Sequence, residues 1–103
     1  MLRRTIAEEF ARGIRRKNPQ IEKVVLFGSV ARGEDSGDSD IDLLVVAKAD
    51  RRKVRDSVMD DVVKTLLEKK VYVSAKVLSG REYKALKNTH FVSEIDEKGV
   101  VLG

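Results

Sequence analysis

The sequence predicts a small α/β fold, a mixed β-sheet flanked by helices in the order α-β-α-β-α-β. Three observations carry that prediction. Short β-branched runs at 21–27, 40–47 and 71–78 alternate with two segments of helical apolar spacing, 2–17 and 50–70. The run at 40–47 is apolar on both faces over most of its length, as a strand covered on both sides must be. At 103 residues the chain has room for one domain, residues 1–103, and for one modest core.

In the first helix Leu2, Ile6, Phe10 and Ile14 recur every four residues and form one stripe. Arg15, Arg16 and Lys17 occupy its last turn, where cations suit the helix dipole, and Asn18-Pro19 ends it. The first strand, IEKVVLF, stops at Gly28, where a residue without Cβ lets the chain turn sharply and approach a ligand. Ser29 starts a short helix, about 29–32, whose free N–H groups suit either a serine cap or a phosphate. A polar loop, 33–39, leads to the second strand.

The longest helix begins at Asp50 as N-cap. Val54, Val58, Val62 and Leu66 form its stripe, which Met59, Val63 and Leu67 widen. This broad stripe is expected to pack on the sheet. Ser79 and Glu82 form a capping-box pattern that starts a helix at about 80–88, with Tyr83 and Leu86 inward. After Asn88 the sequence reads as loop, then as a last strand at 100–102.

Composition bounds the function. No apolar run approaches the roughly 20 residues of a membrane span, so no membrane partner is expected. No secretory leader is legible, and a cytoplasmic protein is the default expectation. With no cysteine there is neither a disulfide nor a thiolate metal site. The charged fraction of 37% with few amides resembles proteins of hot environments. A net charge of +4 suits anionic partners such as nucleotides, RNA or an acidic protein face.

Chemistry concentrates in 26–46. Asp40 and Asp42 are two apart on a strand, so both carboxylates project to one side, roughly 7 Å apart along the chain. Such a pair suits Mg²⁺, which binds through one or two carboxylates plus substrate phosphates. One or two such ions, a pair standing about 3.5–4 Å apart, would stabilise a phosphoryl or nucleotidyl displacement. Gly28-Ser29 would hold the triphosphate tail, and Arg32 would neutralise it from one helical turn on. Either motif alone is weak. Together, each joined to an apolar strand and separated by ten residues, they are strong.

This arrangement resembles the nucleotidyltransferase superfamily that includes DNA polymerase beta, and most of all its minimal single-domain prokaryotic members. The Gly28-Ser29 turn, Ala31-Arg32-Gly33 and Ser39-Asp40-Ile41-Asp42 carry the likeness. The resemblance implies a nucleotidyltransferase fold, phosphate contacts from Gly28 and Ser29, and Mg²⁺ ligation by Asp40 and Asp42. It also implies transfer of an NMP, with ATP as donor, to a hydroxyl on a partner. In that family the partner is often a small helical HEPN-type toxin, and some members are antitoxins that adenylylate it.

One departure stands out. Active relatives carry a third acid on the third strand, and 71–78 has none; Ser74 and Lys76 are best placed there. Glu34, Asp35 or Asp38 would then have to assist. Otherwise the chemistry is weakened, or the chain is a nucleotide- or partner-binding module without turnover. RNA binding by the basic first helix is a weaker expectation, and self-association is left open. His90, Tyr72, Tyr83, Ser57 and Thr65 read as surface or packing residues without catalytic neighbours in sequence.

Overall fold

A computed structural model describes residues 2–34, 39–48 and 50–102. Its elements are α1 (Arg3–Lys17), β1 (Ile21–Phe27), α2 (Gly28–Arg32), β2 (Ile41–Ala47) and α3 (Arg51–Lys69). They continue with β3 (Val73–Ser79), α4 (Gly80–Leu86), α5 (His90–Lys98) and β4 (Val100–Val101). The four strands form one mixed sheet in the order β3-β2-β1-β4. The α/β class expected from the sequence is what the chain adopts.

β1 and β2 pair antiparallel, from Ile21 opposite Ala47 to Phe27 opposite Asp42. β2 and β3 pair parallel, with Asp42 opposite Ser74 and Leu44 opposite Lys76. The crossover between them is α3, the connection a parallel pair requires. β2 is therefore central, and its alternation divides the core. Ile41, Leu43, Val45 and Ala47 face a large cluster with α1 and α3. Leu44 and Val46 face a smaller one with Val25 and Ile95, against which Phe27, Leu78 and Tyr83 pack.

The large face is closed by α1 through Ile6, Phe10 and Ile14 and by α3 through Val54, Val58 and Val62. Lys17 pairs with Asp61 at 2.7 Å and Lys69 with Glu9 at 3.7 Å, linking the two helices at separate points. Asn18, the buried polar residue at the end of α1, donates from Nδ2 to Ile14 O (2.9 Å) and Ser57 Oγ (3.0 Å). Asp50 caps α3 by accepting from Lys53 N, and Ser79 and Glu82 complete the capping box of α4.

The structure corrects three expectations. Met59, Val63, Leu66 and Leu67 are exposed rather than packed on the sheet. Met59 and Val63 each follow a buried valine by one residue, which turns them about 100° away from the sheet. Leu66 lies a turn beyond the last buried valine. Leu86, expected inward, is also exposed at the end of α4.

The third correction matters most. Residues 90–98 form a helix, α5, where a loop was expected. Thr89 caps it by accepting from Val92 N at 3.4 Å, and Val92 and Ile95 are buried. His90 starts the helix on the surface, with Glu94 one turn on at 3.5 Å.

α5 runs directly into β4, which pairs with β1 through Val101 opposite Val25 and Val100 opposite Leu26. The joint is Gly99. A Cβ there would meet Ile95 O, would stand 2.6 Å from Val25 Cγ1 and 3.2 Å from Leu26 O. Backbone and a buried valine cannot step aside cheaply. Gly99→Ala is expected to cost about 1–3 kcal/mol, read as a lower urea midpoint at unchanged slope. An unaltered midpoint would show that α5 does not press on β1.

A glycine turn against an acid pair

β1 ends at Phe27 and the chain turns at once into α2. Gly28 makes that turn with φ +77°, a conformation that favours glycine. Its space is as restricted as its torsion. A Cβ on Gly28 would stand 3.2 Å from Asp42 Cγ and nearer still to Oδ2. The glycine backbone thus lies directly against the Asp42 carboxyl. The cause is the sheet register: Phe27 sits opposite Asp42, so the next residue must pass over that side chain.

α2 has no side-chain cap at its N-terminus among the described residues. The N-cap residue is Phe27, whose side chain carries no acceptor for the first N–H groups. Ser29 is half-buried, and its carbonyl accepts from Glu34 N at 2.9 Å, which folds the chain back after the helix. Gly33 ends the helix in the left-handed conformation.

Asp42 is half-buried on the smaller face, below Leu44 and Val46, while Asp40 is exposed just ahead of β2. Burial raises the Asp42 proton affinity above the usual aspartate range, and the Asp40 carboxylate raises it further. Lys76 and Arg32 oppose the rise without cancelling it. Asp42 therefore lies within electrostatic reach of Asp40, Lys76 and Arg32. A divalent cation beside it would oppose the effect of burial and of Asp40.

Arg32 is exposed and pairs with Glu34 at 3.3 Å. Glu34, considered above as a substitute acid, is thus engaged by an arginine. Asp35 and Asp38 lie outside the described residues. On β3, Ser74 lies beside Asp42 and Lys76 two residues on, both on the Asp42 face. Among the described residues no cluster of three acids or histidines forms. Arg3, at the start of α1, donates from Nε to Ser39 O at 2.6 Å and ties that helix to the residue before Asp40.

The sequence reading missed α5, which walls this region from the far side. Phe27, Gly28 and Arg32 face Phe91, Glu94, Ile95 and Lys98 across a pocket of about 160 Å³. The usable signals were Thr89 as a cap, the spacing of Phe91, Val92 and Ile95, and Gly99 beyond the end.

With this geometry in hand, comparison with known proteins gives one answer. The family model described as "Nucleotidyltransferase domain" matches residues 7–102. The chain belongs to that family. The nucleotidyltransferase is also 36% identical over 96 residues to a candidate protein adenylyltransferase of Methanocaldococcus jannaschii, covering 92% of each chain.

Solved structures share the fold of this nucleotidyltransferase at lower identity. A candidate nucleotidyltransferase from Sulfolobus solfataricus superposes with TM-score 0.61 at 24% identity, over 94% of this chain and 76% of that one. A chain in a crystal structure of a toxin-antitoxin with AMP-PNP gives 0.58 at 21% identity, over 93% and 72%. The complex of tri-AMPylated Shewanella oneidensis HEPN toxin with its MNT antitoxin gives 0.51 at 17%, over 96% and 71%. The family and fold expected from the Gly-Ser turn and the Asp-x-Asp pair are those observed. No described helix of this nucleotidyltransferase is long and apolar enough to cross a membrane.

The buried carboxyl has a consequence for stability. Because Asp42 binds its proton more tightly folded than unfolded, its stability cost is absent below the ordinary aspartate range. The cost grows as pH rises through that range to the folded value. Asp42→Asn is therefore expected to melt higher than the parent at pH 7 in metal-free buffer, by less than about 1 kcal/mol because solvent screens a half-buried group. The advantage should vanish at pH 3. A lower melting point at pH 7 would show that the carboxylate is stabilised rather than strained.

Proposed function

We propose that this nucleotidyltransferase moves AMP from ATP to a hydroxyl on a protein partner, with Asp40 and Asp42 holding Mg²⁺ and the Gly28-Ser29 turn holding the phosphates. One observation carries the reading: the uncapped turn lies against the carboxyl of the acid pair. A phosphate on the turn is therefore next to a cation on the acids. The donor set fits the ion, since the Asp42 carboxylate and the neighbouring Asp40 carboxylate suit a hard cation that keeps water and phosphate as its other ligands. Bound there, Mg²⁺ would supply Lewis-acid stabilisation of the charge at the α-phosphate.

The chain's own residues do the rest. The N–H groups of α2 hold and orient the β- and γ-phosphates. Arg32 leaves Glu34 to place its fork on the same tail, a stronger, charge-assisted contact. The acceptor oxygen forms its bond to the α-phosphorus as the bond to the bridging oxygen breaks. Pyrophosphate departs with that electron pair, and the hydroxyl proton passes to water. Beside the acid pair β3 offers Ser74 and Lys76 and no carboxylate to take that proton.

The partner follows from likeness. The M. jannaschii relative is named for transfer to protein, and fold neighbours occur in toxin-antitoxin complexes, one with an AMPylated HEPN toxin. These support a small helical HEPN-type acceptor and an antitoxin role. Incubation with [α-³²P]ATP, Mg²⁺ and the cognate helical protein is expected to label that protein. Asp40→Asn/Asp42→Asn should reduce labelling by at least about 100-fold, in line with losing a charge-stabilising group. Labelling that persists in the double variant would remove these acids from the reaction.

Ser74 and Lys76, on the strand where active relatives of the resembled family carry an acid, favour a second reading: a module that holds Mg²⁺-ATP and restrains its partner by contact. Nucleotide binding by calorimetry without any label transfer to the partner would select it.

A further inference from the structure

We infer that the pocket between α5 and the Gly28 turn receives the nucleobase of the nucleoside triphosphate, stacked on Phe91. The inference rests on the proposed function and adds to it what tells a nucleotide from a bare polyphosphate.

Position is the first argument. Gly28 and Arg32 line the pocket and also belong to the turn that would hold the phosphates. A ligand anchored by its phosphates at Gly28 has its next segment beside this opening. Size is the second. About 160 Å³ is well short of the several hundred Å³ that encloses a whole drug-sized ligand, and suits one planar ring system.

The lining is the third. Two of the three phenylalanines of the chain meet here, Phe27 and Phe91, edge to face with centroids 5.9 Å apart and planes at 88°. Phe27 is held against the smaller core, while Phe91 remains 41% exposed. An edge-to-face pair occupies the edge of one ring and one face of the other, so aromatic surface remains for a third ring. Ile95 is buried at the base, and Glu94 and Lys98 stand at the rim. An apolar floor with an acceptor and a donor at its edge matches a heterocycle with a π-face and polar exocyclic groups.

α5 brings these residues together, and Gly99 fixes α5 to β1 at the level of Val25 and Leu26. The aromatic wall is thus packed closely on the strand that delivers Gly28.

The test separates base from phosphate. Affinities of Mg²⁺-ATP and Mg²⁺-tripolyphosphate are measured by calorimetry for the parent, Phe91→Ala and Phe91→Trp. For ATP, Phe91→Ala is expected to raise Kd about tenfold or more, the usual loss when an aromatic stacked on a base is truncated. Its tripolyphosphate Kd should stay within about twofold of the parent, and Phe91→Trp should bind ATP as the parent does. Unchanged tripolyphosphate affinity also shows that the truncated protein is folded.

Three results would overturn the inference. They are an unchanged ATP Kd in Phe91→Ala, an equal loss for both ligands, and a Phe91→Ala defect confined to the protein acceptor. The last would make the pocket an acceptor site. If the parent binds neither ligand, the phosphate-site reading fails instead, together with everything resting on it.

Discussion

The pairing of Phe27 with Asp42 across β1 and β2 is the constraint from which the site follows. It fixes where the first strand ends relative to the acid on the second. The chain must then leave the sheet over a carboxyl, and only a residue without a side chain, at positive φ, can do so. Nothing about Gly28 is chosen for flexibility. It is the one residue type that lets the turn after β1 and the Asp42 carboxyl occupy neighbouring space. A slip of one residue in this register would send Asp42 to the opposite face.

The same strand explains the energetics of the acid pair. β2 is buried on both sides beyond Asp42, so the carboxyl is held at the boundary between core and solvent. Burial and the neighbouring Asp40 both disfavour its charge, and Lys76 and Arg32 only moderate them. A stable core could have been built more cheaply with an apolar residue there. Local conflicts of this kind, a carboxyl held where burial disfavours its charge, are expected at functional sites.

Much of this was legible in the residues themselves. Asp40, Asp42, Gly28 and Ser29 stand out because a glycine-serine turn and an acid pair beside apolar runs are uncommon, and those runs place them at the ends of β1 and β2. Their contact was not legible, because it depends on a long-range register that no local pattern contains. α5 escaped for the opposite reason. Nine residues with aromatic and β-branched members form a helix only because Val92 and Ile95 find a core to enter. The stripe of α3 was over-read, since spacing alone does not say how wide a face the sheet can cover. The lack of an acid on β3 was plain in the sequence and is as plain in the fold.

Chain order adds something that the finished molecule conceals. The turn and both aspartates lie within residues 28–42, whereas the wall carrying Phe91 is residues 90–98 and joins the sheet through a strand of two residues. The polar half of the cleft therefore leaves the ribosome before the aromatic half. A chain whose β4 failed to pair with β1 would keep both carboxylates in place and lose the aromatic side of the cleft.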